Sequence, residues 1–245
     1  MSEFPIPAPT FDGRSRAVPP GNALEWLKQG WALFLVNPGL WVAITLLTLI
    51  VFIGVQIVPW VGTLAAYLLT PMLFAGLLQA ADKSAKGEKL EVGDMFAGFR
   101  VNSRQLVHVG VLYMVAMLVI LMVGVMIGGG SMAGGLLLGR MAGAGMAVGG
   151  MMFSLLVTLL LTVPLMMGVW FAPALVLFNG MDAVDALKAS FSANLKNLVP
   201  MLIYSIFVLV LAFFAALPAG LGFLILVPVL AGSIYAQYRD IFVAN

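Results

Sequence analysis

The chain has 245 residues, of which 62% are hydrophobic and 9% charged, with a net charge of +2 and a mean hydropathy of +1.10. Roughly a quarter of the residues in a soluble domain are charged, so this chain is solvated largely by lipid rather than water. It has no cysteine, which excludes disulfides, iron–sulfur clusters, thiolate metal sites and cysteine nucleophiles. Its few basic residues lie in loops beside apolar runs, where they read as topology signals rather than as a nucleic-acid surface.

In chain order, residues 1–21 carry five prolines and lack the basic start and apolar core of a cleavable signal peptide. They are expected to form a disordered Pro-rich cytoplasmic arm, with a proline-rich partner ligand as the other reading. Residues 22–245 read as a single transmembrane domain. Its apolar runs are Leu40 to Val58, Val61 to Ala81, Leu106 to Ile127, Met151 to Phe178, Leu198 to Leu217 and Gly220 to Tyr238, each long enough to span a bilayer. The expected fold is therefore an all-α polytopic membrane bundle of about six transmembrane helices. Pro59-Trp60 and a Pro218-Ala-Gly turn make tight hairpins of the first and last pairs. The Gly-rich stretch Gly128 to Gly150, with small-xxx-small pairs such as Gly130/Gly134, Gly135/Gly139 and Gly139/Gly143, is read as a mobile connector or a close-packed re-entrant element.

Lys and Arg set the orientation, because positive loops stay in the cytoplasm. Arg14, Arg16, Lys28, Lys83, Lys86, Lys89, Arg100, Arg104, Lys188, Lys196 and Arg239 all fall on one side, and only Arg140 on the other. Both termini are thus expected in the cytoplasm of a bacterial cell, with the chain in its inner membrane.

The chain also repeats itself. Asn22 to Trp31 aligns with Asp182 to Phe191 at constant offset, matching Glu25 with Asp185, Leu27 with Leu187, Lys28 with Lys188 and Trp31 with Phe191, and Asn37 falls on Asn197. A weaker copy places Met95, Gly98 and Phe99 over Leu27, Gly30 and Trp31. Each copy precedes a two-span hairpin whose second span holds Thr70-Pro71, Val163-Pro164 or Val227-Pro228. The expectation is three units, about 22–82, 90–179 with the insertion 128–150, and 182–243, each an amphipathic interfacial helix plus a hairpin. Leu24, Leu27, Trp31 and Leu35, like Val184, Leu187, Phe191 and Leu195, form an apolar stripe expected to face inward. Asn22 with Glu25, and Asp182 with Asp185, are the expected helix-start signals.

No catalytic, cofactor-binding or metal-binding residues are assigned. His108, the single histidine, reads as an interfacial hydrogen-bonding residue, because it has no acidic or thiol neighbour in sequence. The spans hold no Asp, Glu, Lys or Arg between their ends, which argues against ion-coupled transport. Gln56, Thr63, Thr70, Ser154, Thr158, Thr162 and Ser205 are expected to bond helix to helix or to a preceding carbonyl. Kinks at Pro71, Pro164, Pro173 and Pro228 free carbonyls that a ligand can use.

With the endings Trp170-Phe-Ala-Pro-Ala-Leu-Val-Leu-Phe178 and Tyr235-Ala-Gln-Tyr-Arg-Asp-Ile-Phe242, the chain resembles a family of uncharacterised proteobacterial six-span inner-membrane proteins. It is distantly similar to the membrane module of some glycerophosphodiester phosphodiesterases. Neither resemblance carries over a functional residue. The leading expectation is a non-enzymatic multi-pass protein, a scaffold or a lipid- and partner-interacting module without cofactors or nucleic acid. Its partners would be membrane lipids and a protein at the cytoplasmic face. The alternative is a passive channel or carrier for a neutral or amphiphilic solute.

Overall fold

The computed structural model describes residue 11 and residues 13–137 and 140–243. Among these residues every regular element is helical. Helix α1 (Asn22–Val36) leads through Asn37 into α2 (Pro38–Gln56), where Asn37 Oδ1 accepts the Leu40 N–H at 3.3 Å and Pro38 opens the helix. A turn through Trp60 reverses the chain into α3 (Val61–Lys86), which stops at Gly87 in the left-handed conformation, φ 69°. A 3₁₀ turn, Val92–Phe96, and the one-turn α4 (Ala97–Arg100) follow. Then come α5 (Ser103–Leu137), α6 (Arg140–Trp170), α7 (Ala172–Asn179), α8 (Ala183–Lys196), α9 (Leu198–Ala216) and α10 (Phe223–Tyr238), and a π turn over Arg239–Val243.

Among the described residues five stretches are helical, long and apolar enough to cross a membrane: Pro38–Gln56, Val61–Lys86, Ser103–Gly134, Ala144–Asn179 and Leu198–Ala216. The sixth expected span differs. The start of the apolar run Gly220 to Tyr238 goes into a turn, leaving α10 with 16 residues, about 24 Å of helix against a hydrocarbon core of about 30 Å. In exchange α10 is walled in by α1, α2, α3 and α9, and every residue from Ala231 to Tyr238 is buried. That enclosure is why it tolerates Ser233 and Gln237 amid apolar neighbours.

The Gly-rich stretch is helical on both sides of residues 138–139, lengthening α5 to 35 residues and α6 to 31. Close packing is the cause. Ser154 Oγ donates to the Gly124 carbonyl at 2.6 Å across the two helices, and a Cβ on Gly128 would meet the Ser154 hydroxyl at 3.4 Å. The pairs Gly135/Gly139 and Gly139/Gly143 and the side chain of Arg140 lie outside the described residues, as do residues 1–10.

Each short helix lies across a proline-bearing span. Helix α1 crosses α10, the segment Val92–Arg100 crosses α3, and α8 crosses α6. The contact is made by one sequence position: a Cβ on Gly30 would stand 2.7 Å from the Ser233 nitrogen, a Cβ on Gly98 2.8 Å from the Met72 carbonyl carbon, and Ser190 Oγ donates to the Met167 carbonyl at 2.7 Å. The expected inward stripe is corrected by this geometry. In α1 the face against the protein is Ala23, Trp26, Leu27, Gly30 and Phe34, while Leu24, Trp31 and Leu35 are exposed. In α8 it is Ala183, Ala186, Ser190, Ala193 and Asn194, with Val184, Phe191 and Leu195 outside. Small residues let the crossing helices close up, and the bulky stripe is left on the outer side.

Candidate functional site

The two endings that carried the family resemblance are distant in sequence and interlock in the fold. Helix α6 breaks at Phe171, two residues before Pro173, whose ring cannot continue the backbone ladder. Ser190 fills the gap: its Oγ accepts the Phe171 N–H at 2.9 Å and donates to the Met167 carbonyl, which also accepts from Asn194 Nδ2 at 2.9 Å. The redirected chain lays Phe171 5.5 Å from Phe242 and Phe178 5.3 Å from Tyr238, centroid to centroid. Trp170 Nε1 donates to Gln237 Oε1 at 2.9 Å and the Tyr238 hydroxyl to Asn179 Oδ1 at 2.7 Å, so the polar tips of these two rings each have a partner.

Asp240 ties the two ends of the chain together. Its carboxylate accepts from Asn22 Nδ2 at 2.7 Å, from Trp26 Nε1 at 2.8 Å and from the Arg16 guanidinium, whose Nε also reaches the Asp240 carbonyl. Burial pushes this carboxyl up, but the donations from Asn22, Trp26 and Arg16 outweigh it and hold the group below the ordinary carboxylate value. Asn197, between α8 and α9, grips the same strand of arm: its Oδ1 accepts the Val18 N–H at 2.8 Å and its Nδ2 donates to the Arg16 carbonyl at 2.9 Å. The arm is thus fixed from at least Ser15, whose carbonyl accepts from Lys196 Nζ at 3.1 Å, and the anchored region begins ahead of residue 22.

A second carboxylate, Asp82 at the end of α3, is buried and accepts the Tyr235 hydroxyl and Lys86 Nζ, each at 2.7 Å. Arg239 Nη1 donates to the same tyrosine oxygen at 3.3 Å, and that bond raises the guanidinium above its ordinary value. Tyr235 and Arg239 border a cavity of about 390 Å³ beside Gln29 and Ala85. Three more cavities lie elsewhere among the described residues. One of about 170 Å³ sits between Thr70, Pro71, Tyr113, Trp170 and Pro173, and one of about 240 Å³ between α6 and α9. The third, about 620 Å³, opens between α1, α9 and α10.

His108 is exposed near the start of α5 with Nδ1 3.4 Å from Gln105 Oε1, while Gln105 itself donates to Asp182 Oδ1 at 2.7 Å. The helix-start signals are drawn into tertiary bonds: Asp182 precedes α8 but bonds Gln105, and Asn22, inside α1, bonds Asp240. Of the polar span residues, Thr70, Thr162 and Ser205 bond the carbonyl four residues back and Ser154 bonds across to α5. The kinks do not gather free carbonyls around a polar void. The Pro71 cavity is apolar, and the break before Pro173 is closed by Ser190 and Asn194. Among the described residues no three His, Asp or Glu side chains stand close enough to hold a metal ion.

Arg16, Arg239, Asp82 and Asp240 read in sequence only as loop charges. The signal available was an Asp placed at the very end of an apolar span, twice: Asp82 after Val61 to Ala81 and Asp240 after Gly220 to Tyr238. A carboxylate so close to hydrocarbon needs donors, and the fold brings them.

The chain is 27% identical over 218 residues to a probable inner membrane protein of Burkholderia thailandensis, an alignment that covers 86% of this chain and 79% of that protein. No solved structure matches. The apolar helices and this likeness agree on a transmembrane protein, and the three crossing helices fall within one family region. The model of the family described as Domain of unknown function (DUF7847) matches residues 22–241, and the chain belongs to that family.

Proposed function

We propose that this is a non-enzymatic multi-pass protein of the bacterial inner membrane, a scaffold that contacts lipid and partners through a ring of three interfacial helices. The observation that carries this reading is the pair of faces on the short helices. One face packs on the protein through Gly30, Gly98 or Ser190, and the other leaves Trp31, Phe99 and Phe191 at 48%, 36% and 36% exposure. Burying such a ring in lipid is worth on the order of 1.5–3 kcal/mol. In this reading the bundle has three cyclically packed units, each short helix lying over the second span of the unit before it. The gathering of Lys86, Arg239, Arg16 and Lys196 at one end supports a cytoplasmic placement of that end and of both termini. On this topology α10 completes a sixth crossing, its short length made up by the turns at either end.

The passive channel or carrier has less support. The cavity beside Pro71 is small and apolar, and the hydroxyls of Thr70, Thr162 and Ser205 bond carbonyls of their own helices while that of Ser154 bonds a neighbour. Purification from native membranes, with bound lipids and proteins identified by mass spectrometry, tests the scaffold. A reproducible set of co-purifying lipids or proteins is expected. Flux of a neutral solute, or gradient-dependent uptake, through the purified protein in sealed liposomes would refute it.

A further inference from the structure

We propose that the cleft between α1, α9 and α10 holds one acyl chain of a phospholipid whose anionic headgroup meets Lys28. The inference rests on the reading above that α1 lies at the cytoplasmic membrane surface. The cleft has about 620 Å³, and its walls are apolar: Leu24 and Trp31 from α1, Phe207, Leu211 and Phe214 from α9, Ile225 from α10. Lys28 is the single charged residue on its rim. One wall, α9, is long and apolar enough to cross a membrane, so the long axis of the cleft lies at hydrocarbon depth.

At the far end α9 and α10 touch, a Cβ on Gly222 standing 2.7 Å from the Ala215 carbonyl oxygen, while the walls Phe214 and Ile225 are themselves exposed. An apolar groove with one cation at its rim has the polarity of a single lipid, tail along the groove and head at the cation. Lys28 is available for the head. Its one carboxylate neighbour, Glu25, stands 3.6 Å away, and the two side chains are 63% and 55% exposed. Water is a poor occupant, since the lining offers it few partners.

The repeat supplies an internal control. Lys188 matches Lys28 in sequence and pairs with Asp185 at the same 3.6 Å, and Phe191 matches Trp31. Lys188 borders none of the four cavities. Attraction of anionic lipid to a surface lysine acts equally at both positions, whereas occupancy of the cleft acts only at Lys28.

The test places the full chain in nanodiscs of phosphatidylcholine doped with either phosphatidylglycerol or phosphatidylcholine brominated on its acyl chains. The signal of Trp31 is the difference between the wild type and Trp31→Phe. Brominated phosphatidylglycerol is expected to associate with Trp31 about fivefold more strongly than brominated phosphatidylcholine, the scale of one basic residue near a membrane. Lys28→Gln abolishes that preference, and Lys188→Gln leaves it unchanged. A reporter at the matching position, Phe191→Trp in the Trp31→Phe background, is quenched by both lipids without preference. Equal preference at the two positions, or its loss with Lys188→Gln, overturns the cleft while leaving the wider lipid-contact reading intact. Absence of quenching at Trp31 by either lipid overturns both. If deleting residues 1–10 raises the quenching, the arm of the chain is the occupant and the proposal fails.

Discussion

The crossings of short helices over proline-bearing spans are tested most directly at Gly30. Adding one methyl group there puts a Cβ 2.7 Å from the Ser233 nitrogen and against the Val229 carbonyl, where carbon contacts are ordinarily about 3.5–4.0 Å. Both obstacles are backbone of α10, so no side chain can swing aside and α1 must retreat by about 1 Å. Trp26 is carried with it and pulls on its bond to Asp240, so the disturbance reaches the C-terminal knot. Overpacking of this kind costs about 1–3 kcal/mol, which for a chain of this size lowers the melting temperature by about 2–12 °C. Gly98→Ala meets the Met72 backbone in the same way and should behave alike. Gly54→Ala is the control, since it lies in α2 with nothing within 4 Å of the new atom. Thermal unfolding in mild detergent, followed by the loss of the monodisperse peak on size exclusion, reads the difference. Melting temperatures of Gly30→Ala and Gly98→Ala within a degree of Gly54→Ala would refute the close crossings and the cyclic packing built on them.

Phe171 is fully buried at the break between α6 and α7, so Phe171→Ala should destabilise by about 3–5 kcal/mol, while Trp60→Ala, 86% exposed, should melt like the wild type in detergent. Because the Asp240 carboxyl titrates below its ordinary value when folded, its contribution is complete above the unfolded value of about 3.9 and fades as pH falls through the folded one. The gap in melting temperature between wild type and Asp240→Asn is therefore expected at pH 7 and should shrink steadily below about pH 4; a gap that persists unchanged to pH 3 contradicts the charged knot. For topology, the chain lacks cysteine, and exposed positions suit an impermeant maleimide better than Ser84, which is buried. Cysteines at Thr63 and Ala219 should label in intact spheroplasts and those at Glu88, Asp185 and Ala244 only after lysis; labelling at Ala244 before lysis would remove α10 from the count of spans.

Membership of the membrane class and the helical hairpins were legible because lipid imposes a local rule: about 20 apolar residues wherever the chain faces hydrocarbon. Where protein replaces lipid, that rule lapses. Helix α10 is enclosed by its neighbours and is shorter than a free-standing span, and the Gly-rich stretch of α5 and α6 is helical because two backbones stabilise each other, neither of which appears in a hydropathy count. The positions that make the close contacts were legible in sequence, but not the faces. Alignment equated Gly30, Gly98 and Ser190, yet the conspicuous periodicity of Leu24, Leu27, Trp31 and Leu35 drew the buried side onto the wrong stripe. Amphipathicity separates apolar from polar, whereas α1 has two apolar faces, one that closes on α10 at Gly30 and buries Trp26 and Phe34, and one that leaves Leu24, Trp31 and Leu35 exposed. The Asp240 knot was hidden for a different reason: Arg16 and Asp240 are 224 residues apart, and each taken alone is an ordinary loop charge. Their pairing also constrains the topology independently of charge counting. An arm held by Asp240 and Asn197 must lie on the same side of the membrane as the ends of α8 and α10, so the N-terminal and C-terminal ends of the described chain are bound to share one compartment whichever way the bundle is inserted.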